Sequence, residues 1–232
     1  SAVNNMFPTI NLNLNDVQSS WAGLRPLIHE EGKSASELSR KDEIFVSDSE
    51  LISIAGGKLT GYRKMAERII DLVCKKYKNR FDKEFSEIKT QNIDLAGGKF
   101  NNYKEVLAYQ ETIFKKIKSH GFNKTDANYL VQNYGKQTDV ILKKFEELTE
   151  KSPEIRLAKA EFWFCINFEM VQTPLDFFIR RTGRLYFDIE SVKTLKEPIL
   201  KEFLNHFNWD ALTFQKHSSD LDIAIQKSAN FS

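Results

Sequence analysis

The sequence predicts an α+β fold in which a mainly helical C-terminal domain follows a smaller part made of strands and one long helix. From about residue 101 onward, apolar side chains recur at helical spacings, and many of the chain's 18 Phe residues contribute to these stripes. The strand-like runs all lie before residue 60. A densely charged stretch with few apolar side chains lies between the two parts. We therefore predict a domain at 1–78, a linker at 79–91 and an all-helical domain at 92–232.

Composition narrows the class of protein further. The chain has 232 residues, of which 41% are hydrophobic, which is enough to build a real core. Because the formal net charge is only +2, we expect no nucleic-acid partner. The four His residues are scattered without Cys, Asp or Glu at metal-ligand spacing, so we expect no metal site. No apolar run is long enough to cross a bilayer, and a membrane role would therefore have to be peripheral.

Three short segments are expected to be strands. Residues 10–14 alternate between apolar and polar side chains, as in a half-buried strand. Residues 44–46 and 51–54 are apolar runs joined by a short polar turn, which predicts a β-hairpin. Cys74 and Cys165 lie in apolar helical patterns instead, and we expect both thiols to be reduced.

Arg25 is the single cation in an otherwise apolar run, residues 21–28. It lies between Gly23 and Pro26, which favour an irregular backbone over a helix. The planar guanidinium of an arginine can hold a phosphate through two parallel hydrogen bonds. A structural ion pair with a buried acid explains the same pattern, and the residues by themselves leave both interpretations open.

Gly56 and Gly57 connect the predicted hairpin to a long amphipathic helix. Thr60 is the expected N-cap of that helix. Its predicted apolar stripe consists of Tyr62, Met65, Ala66, Ile69, Leu72, Val73 and Tyr77. The glycines fit an ordinary turn that needs them for packing, or a turn whose backbone N–H groups face an anion or the polar edge of a cofactor. Lys58 would add positive potential in the second case and would reach solvent in the first.

The predicted helical domain contains about six helices with clear start and stop signals. Asn123 with Asp126 three residues later, and Ser152 followed by Pro153, are typical of helix N-termini. The helix that starts at Ser152 is apolar on most sides and is therefore expected to be central. A second Gly-Gly-Lys, residues 97–99, lacks a preceding strand and is interpreted as a turn.

Several stretches together resemble the C-terminal half of aerobic, FAD-dependent glycerol-3-phosphate dehydrogenases. The resemblance covers nearly the whole chain but not the Gly-x-Gly-x-x-Gly motif with which these flavoproteins bind the ADP part of FAD. We therefore expect the chain to be part of a longer protein. The residues that carry the resemblance are 20–28, 51–67, Tyr129-Leu130, Tyr134-Gly135, 176–182 and Phe187.

The resemblance implies a function and a set of site residues. The full-length protein would oxidise sn-glycerol 3-phosphate to dihydroxyacetone phosphate with FAD as cofactor. Arg25 would bind the substrate phosphate, and Lys58 would support the flavin or the substrate. The main chain of Gly56, Gly57, Leu59 and Thr60 would lie near the isoalloxazine ring. The catalytic base is expected in the half of the protein that is absent here, so the isolated chain should lack FAD and activity.

Partners and localisation also follow from the resemblance. The implied partners are glycerol 3-phosphate, membrane quinone and the protein's own N-terminal FAD domain, and a homodimer is compatible with it. The protein would be cytoplasmic and peripheral on the inner face of the plasma membrane. The short loop at 29–43 favours the dehydrogenases over oxygen-using glycerophosphate oxidases, which can carry a long insertion there. The alternative is that residues 92–232 form a cap, assembly or interaction module without chemistry of its own.

Overall fold

The computed structural model describes residues 2–24, 28, 32 and 42–230. They form two compact units, one comprising residues 1–22 and 95–232 and the other residues 23–94. The predicted α+β class with a dominant helical part is confirmed. The domain boundaries at 1–78, 79–91 and 92–232 stay a prediction. The strands are β1 (Asp42–Val46) and β2 (Ile52–Gly56), and the helices are α1 (Ala2–Met6), α2 (Tyr62–Phe81), α3 (Tyr103–Ile117), α4 (Lys124–Tyr134), α5 (Thr138–Glu147), α6 (Pro153–Glu169), α7 (Arg184–Phe187), α8 (Ile189–Phe207) and α9 (Ala211–Ala229).

The unit at 23–94 is built around the predicted hairpin. Strands β1 and β2 pair antiparallel, with Asp42 opposite Gly56 and Val46 opposite Ile52. A 3₁₀ turn, Leu59–Gly61, then leads into α2. The hairpin prediction is confirmed, because the alternating apolar residues pair across the two strands as expected.

Two details of this part differ from the sequence-based expectation. Thr60 does not cap α2, because it lies inside the 3₁₀ turn and Gly61 occupies the N-cap position without a side-chain hydrogen bond. The predicted apolar stripe of α2 is only partly covered. Met65, Ile69 and Leu72 are half-buried, whereas the other members of the stripe are exposed, and no residue of α2 is fully buried.

Residues 10–14 form no strand. Residues 10–13 are irregular, and Leu14–Asp16 forms a single 3₁₀ turn. Asn13 caps that turn by accepting a hydrogen bond from the backbone of Asn15, and Asp16 bonds back to the backbone of Asn13. Local side-chain hydrogen bonds have therefore replaced the sheet pairing that an alternating pattern favours.

The helical unit is organised around α6, as predicted. One face of α6 supplies Ala158, Phe162 and Cys165 to a cluster with α8 and α9. The opposite face supplies Leu157, Ala160 and Phe164 to a cluster with α3, α4 and α5. The five largest fully buried side chains are all phenylalanines, namely Phe145, Phe164, Phe177, Phe178 and Phe203. Burial of these rings dominates the stabilisation of the unit.

The predicted helix boundaries in this unit are confirmed where a capping residue marked them. Asn123 and Asp126 form a reciprocal capping box at the start of α4. Ser152 accepts a hydrogen bond from Ile155, with Pro153 at the first helical position of α6. Gly135 ends α4 with a positive φ of 54°. Within the described ranges, none of the helices has the length and apolar composition needed to cross a bilayer.

Candidate functional site

Arg25, the predicted phosphate ligand, lies outside the described residues. The structure therefore describes the part of the predicted site that follows β2, residues 56–60. Lys58, Leu59 and Thr60 follow directly on the two glycines and are exposed, with Leu59 retaining 90% of its accessible surface. An apolar side chain so fully exposed at the start of a helical turn leaves the adjacent main chain open to a ligand.

Gly56 and Gly57 adopt positive φ angles of 77° and 82°. Residues other than glycine rarely adopt this backbone conformation. Two residues with positive φ in succession give their consecutive N–H groups an unusual orientation. At Gly57 a Cβ atom would lie 2.8 Å from the Met65 sulfur and 3.2 Å from Cβ of Asp42. A side chain at Gly57 would have to displace the Met65 side chain and hold a strained positive φ, so packing and backbone conformation both favour glycine here.

Two charged residues near this turn, Asp42 and Lys58, differ in whether they form an ion pair. Asp42, opposite Gly56 in the hairpin, forms a hydrogen-bonded ion pair with Arg68 on α2. Lys58 makes no ion pair with any residue in the described ranges. The first N–H groups of a helical turn have no partner within that turn and carry a partial positive charge. An unpaired ammonium, free helical N–H groups and an accessible main chain together suit an anionic or electron-rich ligand edge.

These features fit the polar edge of a flavin ring. The parts of the turn that suit such an edge are the exposed main chain of residues 56–60 and the ammonium of Lys58. The glycine at position 57 has a different explanation, because the Met65 side chain lies where its Cβ would be. Packing thus accounts for Gly57, while contact of residues 56–60 with a cofactor stays a prediction.

A second polar cluster, which the sequence analysis missed, lies in the helical unit. Glu161 on α6 is fully buried. Its Oε1 accepts hydrogen bonds from the hydroxyls of Tyr129, at 2.8 Å, and Tyr134, at 2.9 Å. Its Oε2 accepts a hydrogen bond from Nη2 of Arg184 at 2.9 Å, and the Arg184 guanidinium lies 4.9 Å from the centre of the Tyr129 ring. The carboxylate thus joins α4, α6 and α7.

The electrostatics of this cluster are set by burial. Burial, reinforced by the negative charge of Glu161, raises the pKa of Tyr129 and of Tyr134 well above the usual value. Burial also opposes the charge on Arg184, but the adjacent Glu161 carboxylate outweighs it and raises the pKa of the guanidinium. Both tyrosines therefore remain protonated donors, and Arg184 remains charged, throughout the physiological range. The sequence contains one indication of this buried cluster, because Glu161 is an acid in the middle of an otherwise apolar helical face.

The cluster forms one wall of a cleft of about 670 Å³ in the helical unit. Tyr129, Arg184 and Thr182 line it together with His120, Glu154 and Phe187. Its charges are of both signs. No group of three or more His, Cys, Asp or Glu in the part of the chain that the structure describes could hold a metal ion. Burial raises the pKa of the nearby Cys165 thiol, which makes it a poor nucleophile.

Arg180 and Arg181 form ion pairs within the helical unit, with Asp176 and Glu169 respectively. Arg180 bonds to Asp176 at 2.7 Å. Arg181 donates to the backbone carbonyl of Glu169 at 2.6 Å. Both arginines are therefore engaged in structural contacts.

Comparison with solved structures reveals an extensive likeness. The glycerol-3-phosphate dehydrogenase from Bacillus halodurans, solved in complex with FAD, superimposes on 99% of this chain with a TM-score of 0.79 and 37% sequence identity. The match covers 44% of that protein. The likeness thus extends over both compact units of the chain.

Curated relatives of the chain are also named glycerol-3-phosphate dehydrogenases. The aerobic glycerol-3-phosphate dehydrogenase of Bacillus subtilis is 46% identical over 226 residues, which is 95% of this chain. That of Staphylococcus saprophyticus is 37% identical over 97% of the chain. The chain spans about 40% of the length of these relatives.

The profile of one protein family matches the region from the end of the charged stretch into α9. This profile describes the C-terminal domain of alpha-glycerophosphate oxidase, and it matches residues 88–213, more than half of the chain. The matched region includes α6 and the Glu161 cluster at the centre of the helical unit. The chain therefore belongs to the family of the C-terminal domain of alpha-glycerophosphate oxidase.

Proposed function

We propose that this chain is the C-terminal part of a flavoprotein that oxidises sn-glycerol 3-phosphate to dihydroxyacetone phosphate. The observation that carries the proposal is the likeness, over 99% of the chain, to a glycerol-3-phosphate dehydrogenase solved with FAD. The turn at residues 56–60 supports it, because it offers an accessible main chain and an ammonium that forms no ion pair within the described ranges. When bound, FAD supplies the acceptor for the hydride that leaves C2 of the substrate.

The residues of this chain have separate tasks in the proposal. Gly56, Gly57, Leu59 and Thr60 contribute main-chain contacts to the flavin. Lys58 stabilises negative charge on the flavin or the substrate through its ammonium. The base that takes the hydroxyl proton belongs to the rest of the protein. Replacing Lys58 by Met in the full-length protein tests its task, because a residue that only reaches solvent would leave the flavin's reduction potential unchanged.

Arg25 is proposed to bind the substrate phosphate. In the full-length protein, Arg25→Lys should raise KM for glycerol 3-phosphate about tenfold to a hundredfold, because a lysine cannot reproduce two parallel charged hydrogen bonds, worth roughly 1.5–3 kcal/mol. Steady-state kinetics with a dye acceptor measure the effect. Arg180→Lys, on a residue paired with Asp176, is the matched control and should leave KM unchanged. Wild-type kinetics for Arg25→Lys would show that the substrate phosphate is bound elsewhere.

Electrons are proposed to pass from the flavin to membrane quinone, with the protein attached peripherally to the inner face of the plasma membrane and with its N-terminal FAD domain as its main partner. A soluble quinone analogue should support turnover much faster than dissolved oxygen does. Faster hydrogen peroxide production than quinone reduction would identify an oxidase instead. A homodimer is compatible with this arrangement, and light scattering of the full-length protein measures it directly.

The isolated 232-residue chain is proposed to be inactive. It has no Gly-x-Gly-x-x-Gly motif, which supplies most contacts to the ADP part of the cofactor. The purified chain should be colourless and should not reduce a dye when glycerol 3-phosphate is added. Flavin absorbance that survives gel filtration would contradict this.

The helical part offers a second candidate function, that of a cap or assembly module without chemistry. The observation in its favour is that the buried Glu161 carboxylate finds its charged partner, Arg184, within this part. If this is its function, variants in residues 95–230 will change assembly or stability but leave the kinetics of folded full-length protein unaltered.

A further inference from the structure

The Met65 side chain of α2 lies directly against the backbone of Gly57. A Cβ atom on Gly57 would be 2.8 Å from the Met65 sulfur and 3.2 Å from its methyl carbon. Met65 therefore occupies the space that a side chain at position 57 would take. It is half-buried, in a helix that has no fully buried residue. The glycine thus allows the start of α2 to pack against the main chain of the turn at residues 56–60.

Asp42, at the start of β1, is the second side chain next to Gly57. Its Cβ lies 3.2 Å from the same point, and the residue is paired with Gly56 in the hairpin. The Asp42 carboxylate accepts a hydrogen bond from Arg68 of α2 and forms an ion pair with it. Strands β1 and β2 and helix α2 therefore meet where β2 ends and the turn begins.

The hairpin is also attached to α2 at its other end. Lys76, further along α2, donates a hydrogen bond to Glu50 at 3.5 Å. Glu50 lies in the loop that joins β1 to β2. Both ion pairs join the hairpin to α2, but only the one between Asp42 and Arg68 lies next to the turn. The pair between Lys76 and Glu50 therefore offers a control with the same two elements and the same kind of contact.

The turn has no side chains at its two glycines that could fix its conformation. Gly56 and Gly57 both have positive φ, and glycine loses more backbone freedom on folding than any other residue. Within the described ranges, Met65 and Asp42 supply the atoms nearest to the missing Cβ of Gly57, apart from its neighbours in the chain. The positions of the N–H groups in this turn consequently depend on those two side chains.

We propose that Met65 is a positioning residue for the turn at residues 56–60, and that the ion pair between Asp42 and Arg68 assists it. The inference rests on the proposed function of this turn, which is to bring its main chain and the Lys58 ammonium to the flavin. Met65 acts by fixing the backbone of the turn, and it needs no contact of its own with the flavin or the substrate.

The reduction potential of the flavin in the full-length holoenzyme tests this proposal, because it measures the ratio of the affinities for oxidised and reduced FAD. Met65→Ala should change that ratio about two- to tenfold, the contribution of one hydrogen bond, since the N–H groups of the turn shift. Met65→Leu conserves the volume and should keep most of the wild-type potential. Arg68→Met should act in the same direction by less, because the Arg68 side chain is 51% exposed and solvent weakens its ion pair.

Two control variants separate positioning from a general loss of stability. Ile69 is half-buried like Met65 and lies one helical turn later on the same face of α2. Ile69→Ala and Lys76→Met remove a contact of α2 away from the turn, so they should lower the stability of the holoenzyme but leave the flavin potential unchanged. If Met65→Ala does not fold with FAD, the smaller truncation Met65→Val replaces it in the same comparisons.

The possible outcomes distinguish this inference from the function on which it rests. If Lys58→Met changes the potential while Met65→Ala does not, the positioning proposal is wrong and the turn still acts on the flavin. If neither variant changes the potential, the turn at residues 56–60 does not contact the flavin and both proposals fail. If Met65→Ala and Ile69→Ala change it equally, or if Met65→Leu changes it as much as Met65→Ala, Met65 does not act by filling the space beside Gly57, and the positioning proposal is overturned.

Discussion

Glu161 holds a buried negative charge against three donors from two other helices. A buried carboxylate loses its hydration and is stable only when its hydrogen-bonding capacity is filled. Here both tyrosine hydroxyls and the Arg184 guanidinium fill it. The network does not add much stability over a well-packed apolar core, but it penalises any arrangement of α4, α6 and α7 that separates the charges.

Removing one member should therefore be costly. We expect Glu161→Ala to lower the free energy of unfolding by about 3–5 kcal/mol, because Arg184 would remain charged and buried with only the longer ion pair to the more exposed Asp188. Chemical denaturation followed by circular dichroism measures the change. Glu154→Ala, at an exposed position on the same helix, should cost no more than about 1 kcal/mol. Equal losses of unfolding free energy for the two variants would mean that the buried carboxylate is no more important for stability than an exposed one.

The two tyrosines also predict a dependence on alkaline pH. Their pKa values are raised in the folded protein, by burial first and by Glu161 second, whereas in the unfolded chain they titrate near pH 10. Their contribution to stability is therefore complete below about pH 10 and is lost as the pH rises above it. Each tyrosine should contribute about 1.4 kcal/mol per pH unit to this loss.

Denaturation from about two pH units below the tyrosine value to about one unit above it tests this expectation. Tyr134→Phe should be less stable at neutral pH, because Glu161 loses a donor, but its stability should fall less steeply above pH 10. Tyr103→Phe, at an exposed position, should follow the wild-type slope. A wild-type slope for Tyr134→Phe would show that this hydroxyl ionises as readily in the folded chain as in the unfolded one.

Among the elements, the junction between α4 and α5 depends on two glycines that are distant in sequence. Gly135 has a positive φ of 54°, and Gly97 one of 76°. The Lys136 N–H donates to the Gly97 carbonyl at 3.0 Å. A Cβ atom on Gly135 would collide with that carbonyl, and one on Gly97 would collide with the carbonyl of Tyr134. The turn at residues 97–99 is thus fixed against the end of α4, next to a tyrosine of the Glu161 cluster.

Gly135→Ala should accordingly destabilise the chain by more than backbone strain alone. Gly121 is the control, because it has a positive φ of 91° but nothing within 4 Å of a Cβ atom. We expect Gly121→Ala to cost about 1–2 kcal/mol, the penalty for a side chain in the left-handed region. Gly135→Ala should exceed this, since the backbone must also move. Thermal or chemical unfolding measures the stability of both variants. Equal losses of stability would mean that the backbone at Gly97 and Gly135 can move apart at little energetic cost.

At the scale of the whole molecule, the two units are unequally stabilised. Every hydrophobic residue of the buried core lies between Ile113 and Leu221. None of the described residues in the unit at 23–94 is buried. Because burial of apolar surface is the main source of folding free energy, the helical unit should be much more stable than the hairpin and α2 on their own.

Limited proteolysis of the 232-residue chain should reveal this inequality. We expect cleavage within residues 82–89, which are irregular and largely exposed, and a resistant helical product that carries α3 to α9. Mass spectrometry of the time course identifies the products. A resistant product that contains β1, β2 and α2, with the helices digested, would contradict the predicted independence of residues 92–232.

Several features of this protein are determined by short stretches of sequence. The hairpin and the caps at Asn123 and Ser152 were all predicted correctly. Each depends on side chains within a few residues of one another, so local propensity and capping decide it. The central position of α6 follows from its own composition, since a helix that is apolar on most sides must be buried.

Other features depend on residues that are distant along the chain, and only the tertiary structure decided them. Glu161 finds its partners in Tyr129 and Arg184, which lie 32 and 23 residues away. The hydroxyl of Ser19 finds the carbonyl of Tyr186 across 167 residues. The alternating run at 10–14 lacks a partner strand among the described residues and so forms no sheet. The periodicity of apolar residues predicts which side chains are buried. Which residues they contact depends on the packing of distant parts of the chain, and a short stretch of sequence does not specify that packing.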